Sequence, residues 1–131
     1  MSVSVQEADF DPGQEAERLS AGRDDVGALA TFTGLVRADK QNGAQGSGVQ
    51  AMTLEHYPGM TEKALEGIVA EACTRWPDLL GVRVIHRVGR LEPGDRIVFV
   101  GVAGAHRGEA FAACEFIMDY LKTRAPFWKK E

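Results

Sequence analysis

The sequence predicts an α+β layer structure, one domain in which paired strands alternate with helices. Three observations carry that expectation. Residues at strand spacing occupy short runs at 2–6, 27–37, 52–57, 82–89 and 96–104, and two long runs between and after them have helical spacing instead. Strand runs follow one another without a helix at two places, which favours hairpins over a doubly wound parallel sheet. Neither an internal repeat nor a G-x-G-x-x-G, P-loop or G-x-S-x-G stretch is present.

SVSVQ (2–6) alternates like a short strand. Asp11 then offers an N-cap, with Pro12 at the first helical position where its missing N–H costs nothing, so a short helix is expected to about Ser20. In GALATFTGLVR (27–37) a strand places Ala30, Phe32, Gly34 and Val36 on one face, and Leu29, Thr31, Thr33, Leu35 and Arg37 on the other. Arg37 therefore marks the strand's exit. The polar, glycine-rich stretch at 38–48 is expected to be a flexible loop, and its place after Arg37 also fits a lid.

MTLEHY (52–57) resumes strand spacing, and Ala64, Leu65, Ile68, Val69, Ala72 and Trp76 form one stripe of the first long helix, which Trp76-Pro77 ends. VRVIHRVG (82–89) and RIVFVGVAG (96–104) read as two strands joined around Glu92-Pro93-Gly94-Asp95, with Pro and Gly at the centre of a type II turn. The second of these is apolar almost throughout. It is expected at the centre of a sheet, buried on both faces. A final helix is expected from Arg107, burying Ala110, Phe111, Cys114, Ile117, Met118 and Leu121.

A chain of 131 residues that is 44% hydrophobic supports a single core. Its formal net charge of -4 opposes wrapping by a nucleic-acid backbone. No apolar run nears the ~20 residues of a bilayer span, and MSVSVQEADFD lacks the basic start and apolar centre of a signal peptide, so the expected compartment is the cytoplasm. Cys73 and Cys114 form no C-x-x-C pair and are expected as small apolar filler, lacking basic neighbours that would activate a thiol. His56, His86 and His106 are too dispersed for the spacing of a helical metal site.

Three places could carry chemistry. His106 and Arg107 lie where a buried strand turns into the last helix, and the unpaired N–H groups of that helix start would join them in an anion pocket. A surface arginine beside a capping histidine is the alternative. Lys122 falls one turn after Met118 at the border of the apolar stripe, where partial desolvation would make it a usable base or nucleophile. A snorkelling lysine that complements the helix dipole fits the same position. Pro126 then stops the helix, and Phe127 and Trp128 look like anchors that aim Lys129. Arg37 is the third place, delivered by its strand to a loop edge.

TFTGLVR (31–37), LEHYPGMTEKAL (54–65), IHRVGRLEPGD (85–95), VFVGVAGAHRGEAF (98–111) and FIMDYLKTRAPFWKKE (116–131) together resemble one family, the large, catalytic subunit of molybdopterin synthase. The resemblance runs from about residue 25 to the end, and LEHYPGM and DYLKTRAPFWKKE are its most idiosyncratic stretches. It implies a fold of α/β-hammerhead type, with mixed and antiparallel sheets and two long helices. It implies a homodimer within a heterotetramer, each outer end carrying a small ubiquitin-like sulfur-carrier subunit whose Gly-Gly tail ends in a thiocarboxylate. The implied reaction moves two sulfurs onto cyclic pyranopterin monophosphate to give the dithiolene of molybdopterin, with no metal or separate organic cofactor. Lys122 and Lys129 match the family's two lysines of sulfur transfer, His106 and Arg107 its His-Arg pair, and Arg37 the arginine that closes its F-x-G-x-V-R strand. Family members commonly continue past W-K-[KR]-E with a tail that reaches a neighbouring subunit, so any contribution of such a tail lies outside these residues.

Two rival functions compete with that implication. A binding module that kept a carrier-docking surface and lost the chemistry is favoured by loss of either lysine, and both are present. A small phosphate-binding hydrolase with His106 as base and Arg37 and Arg107 on phosphate lacks an evident carboxylate partner or metal set.

Overall fold

The computed structural model describes residues 1–38 and 51–130. In chain order the elements are β1 (Ser2–Gln6), α1 (Pro12–Ser20), β2 (Ala28–Leu35), β3 (Met52–His56), α2 (Met60–Arg75), β4 (Gly81–Arg87), β5 (Gly89–Leu91), β6 (Arg96–Gly104), α3 (Arg107–Arg124) and β7 (Phe127–Lys129). Two sheets result, a four-stranded one in the order β1-β4-β6-β2 and a three-stranded one in the order β5-β3-β7. The first is mixed, because β1 runs parallel to β4 while β6 is antiparallel to both neighbours. The second is antiparallel throughout. The expected α+β class, with mixed and antiparallel sheets and two long helices, is what forms.

Local chemistry accounts for the boundaries. Asp11 Oδ1 accepts hydrogen bonds from the Gly13 and Gln14 N–H groups at 2.9 and 3.2 Å, so α1 starts where its N-cap stands. Gly94 takes φ 93° and the Asp95 N–H donates to Glu92 O at 2.9 Å, which is the expected type II turn. The start of α2 is fixed by Thr61, fully buried, whose hydroxyl donates to Tyr57 O at 3.0 Å.

Two strands go beyond the expected order. Between β4 and β6 the chain does not make a simple hairpin. Gly89, at φ 87°, lets it leave the first sheet and pair β5 with β3 in the second. After α3, Ala125 is extended at φ -80° and ψ 130°, as a residue before proline prefers, and beyond Pro126 the residues Phe127–Lys129 pair with β3 as β7. The stretch expected as a loop at 38–48 lies outside the described residues apart from Ala38.

Both long helices pack on one face of the four-stranded sheet. Leu65, Ile68, Val69 and Ala72 of α2 meet Ala113, Phe116, Ile117 and Leu121 of α3 over Val82, Val84, Val100 and Val102. Strand β6 is central, and all of Val98 to Gly104 is buried, as its composition predicts. On the opposite face Phe10 meets Ile85 and Phe99. Helix α1 covers the same side: a Cβ on Gly101 would stand 2.7 Å from Leu19 Cδ1 and 2.8 Å from the Phe99 ring, so glycine here permits close approach. A third cluster of Val36, Leu54 and Leu91 joins the sheets.

One residue of the expected core is elsewhere. Phe111 was expected on the buried face of α3, yet it is 64% exposed. Its 3.6-residue phase puts it at the edge of the stripe beside β2, and β2 is the edge strand, so nothing in the described chain covers it.

Candidate active site

The end of α3 and strand β7 form one wall of the site. Pairing of Leu54 with Lys129, Glu55 with Trp128 and His56 with Phe127 sets the register of β7 on β3, and the Lys130 N–H donates to Thr53 O at 2.8 Å. Alternation along the strand puts Phe127 and Lys129 on the same face. A cleft of about 500 Å³ opens between β7, the last turns of α3 and the two sheets. Lys122 and Lys129 both line it, over an apolar floor that includes Leu54, Ile97, Val98 and Leu121.

Both lysines are exposed, and among the described residues neither joins an ion pair. The expected partial burial of the Lys122 head is therefore not found in the single chain. Lys122 lines the cleft while remaining exposed, which places it at the rim. Lys122 also borders a second cleft of about 670 Å³ between β2 and α3, lined in addition by Phe32, Phe111 and Met118.

The expected tail anchors are in place. Phe127 packs face to face on His86, with ring centroids 3.7 Å apart and planes within 15°. Trp128 packs on Tyr57 at 4.7 Å.

Arg37 follows Val36, whose N–H donates to Asp95 O at 2.8 Å and whose side chain packs with Leu54 and Ile97. Leu54 and Ile97 also floor the lysine cleft, so Arg37, itself exposed, stands at the same end of the molecule. His106 and Arg107 do not. Arg107 begins α3 after the N-cap His106, and it precedes Lys122 by fifteen residues, about 22 Å along the helix axis. His106 is the N-cap residue, but its side chain makes no capping hydrogen bond, so the capping role weighed for it is absent. Both side chains are exposed. One chain thus gathers Lys122, Lys129 and Arg37 at one end and holds His106 and Arg107 at the other.

His86 was not among the sequence-derived candidates. It lines the lysine cleft. The signal was the alternation Val82, Val84, His86 in β4: two core residues and then a histidine on the same face. Its Nδ1 lies 2.8 Å from Arg87 O, so Nδ1 carries the proton and donates. Burial pushes its pKa down to about 4, against a smaller raising effect of that hydrogen bond and with a further lowering by nearby His56. The imidazole is neutral at physiological pH. The cysteines behave as filler: burial pushes Cys114 up to about 11 and also raises Cys73, so both remain thiols.

Two exposed lysines thus line one apolar cleft of an α+β fold. The chain belongs to the MoaE protein family, whose model matches residues 5–124. It is 63% identical over 130 residues to the molybdopterin synthase catalytic subunit of Ralstonia nicotianae, covering 99% of this chain and 71% of that one. To the subunit of the same description from Pseudomonas aeruginosa it is 60% identical over 131 residues, covering 100% and 84%. Among solved structures, the molybdopterin biosynthesis MoaE protein from Burkholderia ambifaria superposes with a TM-score of 0.89 at 55% identity, over 99% of this chain and 82% of that chain.

Proposed function

We infer that this chain is the catalytic subunit of a molybdopterin synthase. It transfers sulfur from the C-terminal thiocarboxylate of a small ubiquitin-like carrier subunit to cyclic pyranopterin monophosphate, forming the dithiolene of molybdopterin. The observation that carries the site assignment is the shared cleft of Lys122 and Lys129, two cations with no ion-pair partner among the described residues. A cyclic phosphate and a thiocarboxylate are both anionic, so converging cations are what the reaction needs. In this reading Lys122 activates the attack by handling the proton, Lys129 orients the carrier tail, and Arg37, His106 and Arg107 hold the phosphate end.

The same geometry supports a dimeric assembly. Because α3 separates Arg107 from Lys122 by its length, one chain cannot close all five groups on one substrate. A homodimer joined along β2 and α3 brings the His106 and Arg107 of one protomer toward the Lys122 of the other. Exposed Phe32 and Phe111, which line the same cleft between β2 and α3, supply an apolar surface for that contact. Two carrier subunits then complete a heterotetramer. Cytoplasmic placement accords with two free cysteines, and no helix among the described residues is long and apolar enough to cross a membrane.

Reconstitution tests the reading: this protein, a thiocarboxylated carrier and cyclic pyranopterin monophosphate, followed for molybdopterin beside a Lys122→Ala control. Product that depends on the carrier and disappears with the lysine is the expected result. Carrier binding without product would instead favour the non-catalytic module.

A further inference from the structure

We propose that His86 is a positioning residue of the sulfur-transfer site: it holds β7, and through it Lys129, against the four-stranded sheet by stacking on Phe127. The proposal rests on the assignment of Lys129 above.

Besides this stack, Phe127 packs against the edge of the main core, and the rest of β7 is held only from the small sheet. The strand is three residues long, pairs only with β3, and belongs to the smaller sheet. The pairing of Trp128 with Tyr57 lies within that sheet, since Tyr57 directly follows β3, and both rings are exposed at 38% and 54%. It therefore steadies β7 against β3 without tying it to the main body. His86 belongs to β4 of the four-stranded sheet. Its stack on Phe127, with centroids 3.7 Å apart, crosses from one sheet to the other at the cleft. His56 approaches the same Phe127 ring at 6.3 Å and is tilted by 34°, which is a looser contact from the small sheet.

The anchor is itself rigid. The bond from Nδ1–H to Arg87 O fixes the rotation of the imidazole, and burial keeps the ring uncharged, so the flat stack strands no charge. Phe127 and Lys129 are two residues apart on one face, about 7 Å along the strand. A hold on the first limits the path of the second. The groups around the ring are His56 on β3, Lys129 on β7, Lys122 on α3 and the neighbouring Arg87 on β4; none offers His86 a carboxylate that would charge it.

Two measurements test this on the reconstituted synthase, using His86→Ala, His86→Phe, Lys129→Ala and the His86→Ala/Lys129→Ala double variant. In hydrogen exchange, His86→Ala should speed the β7 amides at least about tenfold while β6 and α3 keep their protection, and His86→Phe, which can still stack, should restore them. Turnover at saturating carrier and substrate should fall about tenfold in His86→Ala, recover in His86→Phe, and fall no further when His86→Ala is added to Lys129→Ala. Unchanged exchange in β7, exchange rising together in all elements, or a further multiplicative loss in the double variant would each overturn the proposal. Full turnover of Lys129→Ala with β7 exchange still raised by His86→Ala would overturn the role of Lys129 and leave the anchoring of β7 supported.

Discussion

His86 carries a pH signature set by its burial. Its folded-state pKa is held at about 4 by burial, against 6.5 for the free imidazole, so between those values the unfolded chain binds a proton that the folded chain refuses. The stability it confers is complete above 6.5 and is lost as pH falls toward 4, by at most about 3 kcal/mol. Urea unfolding midpoints should therefore drop between pH 7 and pH 4.5 in the native chain and change much less in His86→Phe. Asp9, whose pKa is lowered chiefly by its hydrogen bond from Arg96, acts only below the ordinary carboxylate value and leaves that window clear. Lys122 belongs to the same scale. Its replacement by Ala should cut turnover by about a hundredfold or more, the usual worth of a positioned proton-transfer group, with the thermal midpoint unchanged because the side chain is exposed. The chemistry of both residues is read from identity, but only one was legible in sequence. Lys122 stood at the border of a helical stripe, whereas His86 looked like any polar residue closing a strand until Phe127 was seen against it.

At the scale of elements, the sharpest constraint is where β6 meets α1. A side chain on Gly101 would run into Leu19 and Phe99. Gly101→Val should therefore destabilise the fold by about 1–3 kcal/mol, as overpacking does, and a chemical-denaturation series would measure it. The N-cap of α1 makes a milder case, Asp11→Ala losing about 1 kcal/mol in the same series. Such local features were legible in advance: the Asp11-Pro12 start, the Pro-Gly turn before Asp95 and the unbroken apolar run of β6 each dictate their own backbone. Strands β5 and β7 were not. Each is three residues long and has no period to display, and each exists only because β3 offers an edge on either side.

For the whole molecule, the apolar surface on β2 and α3 sets the expectation. Phe111 is 64% exposed and Phe32 41%, so Phe111→Glu should leave the fold intact yet convert the proposed homodimer to a monomer, which sedimentation or light scattering would detect. If His106 and Arg107 act across that interface, the same variant loses turnover although its lysine cleft is untouched. The sequence by itself determined the α+β class, the long helices and the buried central strand, and its motifs supplied Lys122, Lys129, Arg37, His106 and Arg107 as the proposed site residues. Those features depend on residue type and spacing along the chain. Tertiary structure alone decided that Lys122 and Lys129 face one cleft, that His86 braces its wall, and that His106 and Arg107 stand a helix length away. Distance through space is set by how the two sheets and α3 pack, and no spacing along the chain encodes it.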